Sequence, residues 1–172
     1  RWVPALNFIN SYHDHDSYIS GLVATIKNKI SNHRPQKIIF TYHGIPKRNF
    51  TLGDPYQCFC QKTTRLVAEK LNLKEEEYIT TFQSRFGPAE WLKPYTSETM
   101  ERLPSEGIKD IMVIAPAFSV DCLETIEEID EENKEIFLKA GGNKFHYIPC
   151  LNDSDEQINF INTLLSEHIS VM

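Results

Sequence analysis

The sequence predicts an α/β domain, a four-stranded parallel sheet flanked by helices, and three observations predict it. Four short apolar, β-branched runs recur along the 172 residues, and stretches of helical period lie between them. No linker or low-complexity segment interrupts the alternation. Strand and helix in strict alternation imply right-handed crossovers and helices on both faces of one sheet.

Each element has its own warrant. An opening helix at 16–31 carries Leu22, Val23, Ile26 and Ile30 on one stripe. Residues 37–42 (Lys-Ile-Ile-Phe-Thr-Tyr) form the first strand. A helix at 55–72 follows Gly53-Asp54-Pro55-Tyr56, with Asp54 capping and Pro55 in the first helical position, and its apolar positions are Phe59, Leu66, Val67 and Leu71. The second strand is 77–82, and the helix behind it, 95–107, carries Met100 and Leu103 and stops at Gly107. The third strand, 110–115, leads into a long helix, 121–140, with Leu123, Ile126, Ile129, Ile136, Phe137 and Ala140 before Gly141-Gly142. The fourth strand is 144–149, and a closing helix at 154–169 carries Ile158, Ile161, Leu164 and Leu165 behind a Ser154 cap.

A parallel sheet opens all its post-strand loops on one edge, where such folds bind ligands. Those loops hold His43 with Gly44 and Pro46, the stretch 83–91, the stretch 118–124, and Leu151-Asn152-Asp153. His43 and Glu124 are therefore expected to meet in one site. A histidine satisfying loop carbonyls is the plain reading of His43, and a ligand or base is the chemical one. Glu124 in the first turn of a helix is favoured by the positive helix end, yet Glu128 and Glu132 continue from it at four-residue spacing. Like charges so spaced cost about 0.2–0.5 kcal/mol per pair. Either a solvated face or a path for a hydrated divalent cation answers that cost. An imidazole and a carboxylate at the inner end suit Fe(II), Zn or Co better than Mg or Ca, and two protein ligands hold metal weakly, as transient delivery requires. Trp91, in a Gly/Pro-containing loop, reads as a wall for a flat ligand or as a cap over the sheet end.

Composition bounds the alternatives. A chain of this length with 41% hydrophobic residues forms one domain, and a formal charge of -6 without a basic, aromatic-rich stripe excludes a nucleic-acid partner. The longest apolar run, Ile111 to Phe118, falls far short of the roughly 18 residues that cross a bilayer. A start at Arg1 without a signal-like segment reads as a fragment rather than a secreted precursor. Cys58-Phe59-Cys60 is too tight for a metal knuckle and Cys122 and Cys150 are isolated, so all four cysteines read as reduced thiols. His13 and His15 read as a polar loop ending in a helix cap rather than a metal site. Neither a GxGxxG nor a P-loop cradle for nucleotide phosphates is present.

Four segments, in order, resemble the ferrochelatase family in its proteobacterial form: Thr41-Tyr42-His43-Gly44-Ile45-Pro46; Gly53-Asp54-Pro55-Tyr56; Thr81-Phe82-Gln83-Ser84-Arg85-Phe86-Gly87 with Trp91-Leu92; and Asp121-Cys122-Leu123-Glu124-Thr125-Ile126-Glu127-Glu128-Ile129. The resemblance covers almost the whole chain and implies a class II chelatase-like half-domain, residues 1–172 forming the carboxyl-terminal half of the catalytic unit without the amino-terminal half. It implies a lyase of haem biosynthesis that inserts Fe(II) into protoporphyrin IX with loss of two protons. Iron is the substrate, and neither a permanently bound cofactor nor an iron-sulfur cluster is expected.

By the same resemblance His43 is the active-site histidine, as metal ligand, proton acceptor or both, and Glu124 is its carboxylate partner. Glu128 and Glu132 line a metal route on a helix that in relatives contains a π-type bulge, Trp91 lies near the macrocycle, and Tyr42, Gln83 and Ser84 join it as porphyrin contacts. Cys122 stands where some relatives carry a second histidine, so no role transfers there. The implied partners are the porphyrin, ferrous iron and the amino-terminal half of the same enzyme, in the cytoplasm with room for a peripheral contact with the inner membrane. Two other readings of the residues are a cobalt-inserting sirohydrochlorin chelatase and a metal- or haem-binding module without turnover.

Overall fold

Aromatic and β-branched side chains pack well on a pleated, buried surface, and the run richest in them lies at the centre of the sheet. In the computed structural model, which describes residues 2–3 and 6–169, it is β1 (Lys37–His43). The elements in chain order are α1 (Asp16–Asn32), β1, α2 (Lys47–Thr51), α3 (Tyr56–Leu71), β2 (Tyr78–Gln83), α4 (Thr96–Arg102), β3 (Asp110–Ile114), α5 (Leu123–Thr125), a π-helical segment (Ile126–Asn133), α6 (Lys134–Lys139), β4 (Lys144–Ile148) and α7 (Asp155–Ile169). All strand pairs are parallel, as strict strand–helix alternation requires, and the order is β2-β1-β3-β4.

Alternation along β1 divides the core. Ile38, Phe40 and Tyr42 face α1, α3 and α7, where they pack with Ile19, Leu22, Ile26, Val67 and Phe160. Ile39 faces the other way, with Ile111 and Val113 of β3, against Met100, Leu103, Ile129 and Phe137. Each such fully buried side chain contributes about 1.5–3 kcal/mol of apolar transfer.

The expected boundaries shift in informative ways. His43 and Gln83 are not loop residues but a paired rung of the β1–β2 ladder, the last one before the open edge. The expected helix at 95–107 divides into α4 and a 3-10 turn, Leu103–Glu106, closed by Gly107 with φ 85. Ser154 does cap the last helix, its Oγ accepting from the Gln157 N–H at 3.2 Å. His15 occupies the N-cap position of α1 without making a side-chain cap bond; its Nε2 faces Glu167 at 3.1 Å instead. Short helix α2 carries no apolar periodicity and was not expected.

The long helix expected at 121–140 is the largest departure. Its middle is π-helical, and the widened turn lets the polar Asn133 sit buried between Ile129 and Phe137. Asn133 Nδ2 donates to the Glu128 carbonyl at 2.6 Å, across one π turn. The rotated register leaves Leu123, Ile126 and Ala140 exposed, where a uniform α-helix had assigned them to the core. Among the described residues all four cysteines are free, and no helix is long and apolar enough to cross a membrane.

Candidate active site at the sheet edge

The chain leaves β1 toward the face covered by α3 and leaves β3 toward the face covered by the π segment, so the two exits diverge. Such a topological switch point opens a crevice at the strand ends without any special sequence. His43 ends β1 on one side of it, and the loop after β3 carries Glu124 into the other.

The His43 ring is half-buried between Trp91 and Phe118, with centroids 6.3 Å and 6.5 Å away. Its Nδ1 lies 2.7 Å from the Gly44 carbonyl, an acceptor only, so Nδ1 carries the proton and the Nε2 lone pair is left free. The Tyr56 hydroxyl donates to the His43 carbonyl at 2.9 Å and fixes the strand end. Gly44 is required here: a Cβ would come within 2.8 Å of the Gln83 carbonyl and 3.0 Å of the Trp91 ring. The Trp91 loop is joined to the turn after β1 by the Leu92 N–H to the Ile45 carbonyl at 3.0 Å, and the Trp91 N–H donates to the Tyr95 hydroxyl at 3.2 Å. The indole Nε1 is buried with no hydrogen-bond partner among the described residues.

Glu124 is partly exposed, and hydrogen bonds from the Cys122 thiol and its own backbone N–H hold its carboxyl below the usual carboxylate range. Its loop is anchored by Asp121. Oδ1 of Asp121 accepts from the Tyr147 hydroxyl at 2.6 Å and from the Cys150 N–H at 3.2 Å, Oδ2 accepts from Asn152 Nδ2 at 2.8 Å, and the Asp121 N–H donates to Asn152 Oδ1 at 2.8 Å. Burial pushes this carboxyl up, but the bonds from Asn152, Tyr147 and Cys150 outweigh it and the pKa is lowered.

Glu128 is the best-held carboxylate of the stripe. It accepts from the Ser84 N–H at 2.6 Å, from the Ser84 hydroxyl, and from Gln83 Nε2 at 3.2 Å. Ser84 reaches it from a left-handed backbone, φ 61, a conformation costing about 1–2 kcal/mol for a residue with a Cβ. Gln83 Nε2 also donates to the Glu124 carbonyl at 2.7 Å, so one amide joins the two carboxylate-bearing turns. Beneath it, Thr41 donates to Gln83 Oε1 at 3.0 Å, the Thr41 and Thr96 hydroxyls lie 2.8 Å apart, and Thr96 donates to Thr81 at 3.0 Å, all buried.

Glu124, Glu128 and Glu132 line one open groove of about 330 Å³ with Leu123 and Glu127. A second hollow of about 250 Å³ shares Glu128 and Glu132 and adds Ser84, Arg85 and Tyr95. The geometry thus gathers His43, Glu124, Trp91, Glu128 and Glu132 on one edge. Tyr42 departs from the expected set. Strand alternation turns it into the core on the α3 side, where it is 2% exposed and its hydroxyl is 2.9 Å from that of Thr64. Gln83, 4% exposed, and Ser84 spend their polar groups on the protein, which makes them supports of Glu128 rather than open contact surface. Phe118, Tyr56, Asp121 and Asn152 were not singled out as site residues from the sequence. The available signal was a carboxylate and an amide in neighbouring post-strand loops, each a strong partner for the other.

The sequence matches the family described as Ferrochelatase over residues 1–169. It is 54% identical over 170 residues to Ferrochelatase 2 of Shewanella oneidensis, covering 98% of this chain and 52% of that protein. It is 51% identical over 171 residues to a ferrochelatase of Agrobacterium fabrum, with 98% and 50% covered, and 51% identical over 166 residues to one of Hydrogenovibrio crunogenus, with 96% and 44% covered. The chain spans about half the length of the curated relatives it matches. A solved structure of a protein assigned to cobalamin (vitamin B12) biosynthesis, CbiX of Marinobacter aquaeolei, superposes with TM-score 0.53 at 12% identity over 80% of this chain and 100% of its own, a likeness of fold alone.

Proposed function

The chain belongs to the ferrochelatase family, and from that premise we propose that it forms the metal-handling half of an enzyme that inserts Fe(II) into protoporphyrin IX in haem synthesis. The observation that supports this most is a free imidazole nitrogen facing a row of carboxylates across one crevice. His43 Nε2, left unprotonated by the Nδ1 bond to Gly44, is available to take a pyrrole proton or to ligate the metal. Two such protons must leave before iron can enter the ring. Glu124, kept ionised by its hydrogen bonds, faces the arriving dication and the departing proton.

Glu128 and Glu132 extend the carboxylate row outward, where exchangeable oxygens replace the waters of a hydrated ferrous ion stepwise. Trp91 and Phe118, both beside His43, offer apolar surface to a flat macrocycle. The reading needs no resident cofactor, and its partners are the porphyrin, iron and the remaining half of a protein of the relatives' length. Its proposed place is the cytoplasm, in peripheral contact with the inner membrane, in keeping with an apolar substrate.

The test is a Soret-band assay with protoporphyrin, coproporphyrin and sirohydrochlorin against Fe(II), Zn(II) and Co(II), for a protein of the relatives' full length carrying these residues. Metallation of protoporphyrin is expected, with a loss of about 100-fold or more in His43→Ala, the usual worth of a positioned base. Normal turnover in that variant refutes the mechanism. Preference for cobalt and sirohydrochlorin transfers the chain to the other chelatase chemistry, and binding without metallation makes it a carrier.

A further inference from the structure

The edge of the sheet opposite the crevice, where the strands begin, gathers a second set of metal-ligating side chains. His33 ends α1, Asp110 opens β3, and His146 lies in β4. In the β3–β4 ladder Asp110 pairs with Lys144 and Met112 with His146, so Asp110 and His146 project from one face of neighbouring strands, two residues apart. Helix α1 packs on that same face and delivers His33. His33 Nε2 lies 2.8 Å from Asp110 Oδ1 and 2.7 Å from Oδ2, and the two imidazole rings are 4.8 Å apart. One ligand atom from each of the three residues lies within 4.8 Å of the others.

A histidine-aspartate staple between helix and strand explains only two of the three. It leaves His146 Nε2 buried with no hydrogen-bond partner among the described residues, a nitrogen that calls for a partner such as a bound ion or an ordered water. We propose that His33, Asp110 and His146 form a divalent transition-metal site, separate from the His43/Glu124 crevice. The ion replaces the proton shared by His33 and Asp110 and gives His146 its missing partner. Two imidazoles and one carboxylate make a donor set of borderline softness, which takes Zn(II), Co(II) or Fe(II) in preference to Mg(II) or Ca(II). Lys144 Nζ, 4.0 Å from Asp110 Oδ2, opposes a cation there, but its side chain is 57% exposed and free to turn into solvent. Three protein ligands leave a coordination position for water, so the metal is exchangeable. When bound it ties the end of α1 to the first residues of β3 and the middle of β4.

The test uses the full chain carrying His43→Ala and Glu124→Gln, which removes the two innermost donors of the crevice. Calorimetric titration with Zn(II) is expected to give one equivalent of binding, and Co(II) to give visible ligand-field bands. Adding His146→Ala or Asp110→Asn is expected to weaken zinc binding at least tenfold and abolish the cobalt bands. His33→Gln keeps a donor for Asp110 while removing the imidazole, so its melting temperature without metal should stay near that of the parent while the zinc-dependent rise disappears. Absence of zinc binding in the starting variant, or zinc affinity indifferent to all three further changes, overturns the proposal.

Discussion

Asp121 never faces the crevice, yet the position of Glu124 depends on it. Its carboxylate accepts four hydrogen bonds, from Tyr147, Asn152, the Cys150 N–H and Thr125, which together tie the loop after β3 to the end of β4. An asparagine there turns an NH2 toward at least one of these donors. We expect Asp121→Asn to cost about 2 kcal/mol at neutral pH, the scale of a hydrogen bond to a charged group, and to lower the melting temperature by about 4–8 °C. The pH dependence has a definite sign. Because the folded pKa is lowered, the stabilisation is complete above the ordinary aspartate range and is lost as pH falls through that range to the folded value. Thermal unfolding followed by circular dichroism should therefore find wild type and variant converging in acid; a gap that persists undiminished there is incompatible with this account. The residue scale is also where the sequence was least legible. His43 and Glu124 stood out because they interrupt apolar patterns at strand ends, whereas the partners of Asp121 come from the far side of β4 and leave no local trace. Tyr42 failed for a related reason: one step of strand alternation separates a residue at the crevice from one in the core.

Among the elements, the strands were read almost to the residue, since a buried parallel sheet writes itself as β-branched runs whose length is set by the ladder. The helix carrying the acidic stripe was read as uniform, and its π segment could not come from periodicity, because a widened turn shifts the apolar phase by less than one residue. The resemblance to a family, not the pattern, carried that expectation. The segment rests on Asn133, whose amide closes the π turn onto the Glu128 carbonyl. Asn133→Ala strips that part-buried carbonyl of its side-chain partner and should cost about 1–3 kcal/mol in denaturant unfolding. Relaxation toward an α-helix would also turn Glu128 away from Gln83 and Ser84, so Co(II) binding at the groove, measured in a chain that also carries His146→Ala, is expected to weaken about tenfold, one broken charge-assisted contact's worth. Unchanged stability together with unchanged metal binding would show that the π turn is maintained by something else.

At the scale of the whole molecule the open edge is unfinished. Phe86, Val120, Leu123 and Ile126, all in loops or the first helical turns beside the crevice, are 84%, 57%, 73% and 52% exposed. Under the proposed function, apolar side chains so grouped around the site are expected to be covered by the remaining half of a protein of the relatives' length. The relatives are about twice as long as this chain, which supplies that half a source. A reaction that requires a porphyrin to be held and bent over one nitrogen is sensitive to displacements of an ångström. We therefore expect the 172-residue chain alone to metallate protoporphyrin at least about 100-fold more slowly than a protein of the relatives' full length. Comparable rates in a side-by-side fluorescence assay of porphyrin consumption would remove the need for an opposing wall.

The buried hydroxyls below Gln83 bear on how such a site responds to charge. Thr41, Thr81 and Thr96 form a connected set under the amide that holds Glu128, and a hydroxyl hydrogen turns about its C–O bond without moving any heavy atom. Because Gln83 Oε1 can only accept, the Thr41 hydrogen is held pointing at it, and that bond polarises the amide whose NH2 donates to Glu128. The floor of the crevice is thus a set of dipoles ordered from the Gln83 amide downward. It is rigid in its atoms and already oriented, so a carboxylate held above it keeps its negative charge without any rearrangement beneath.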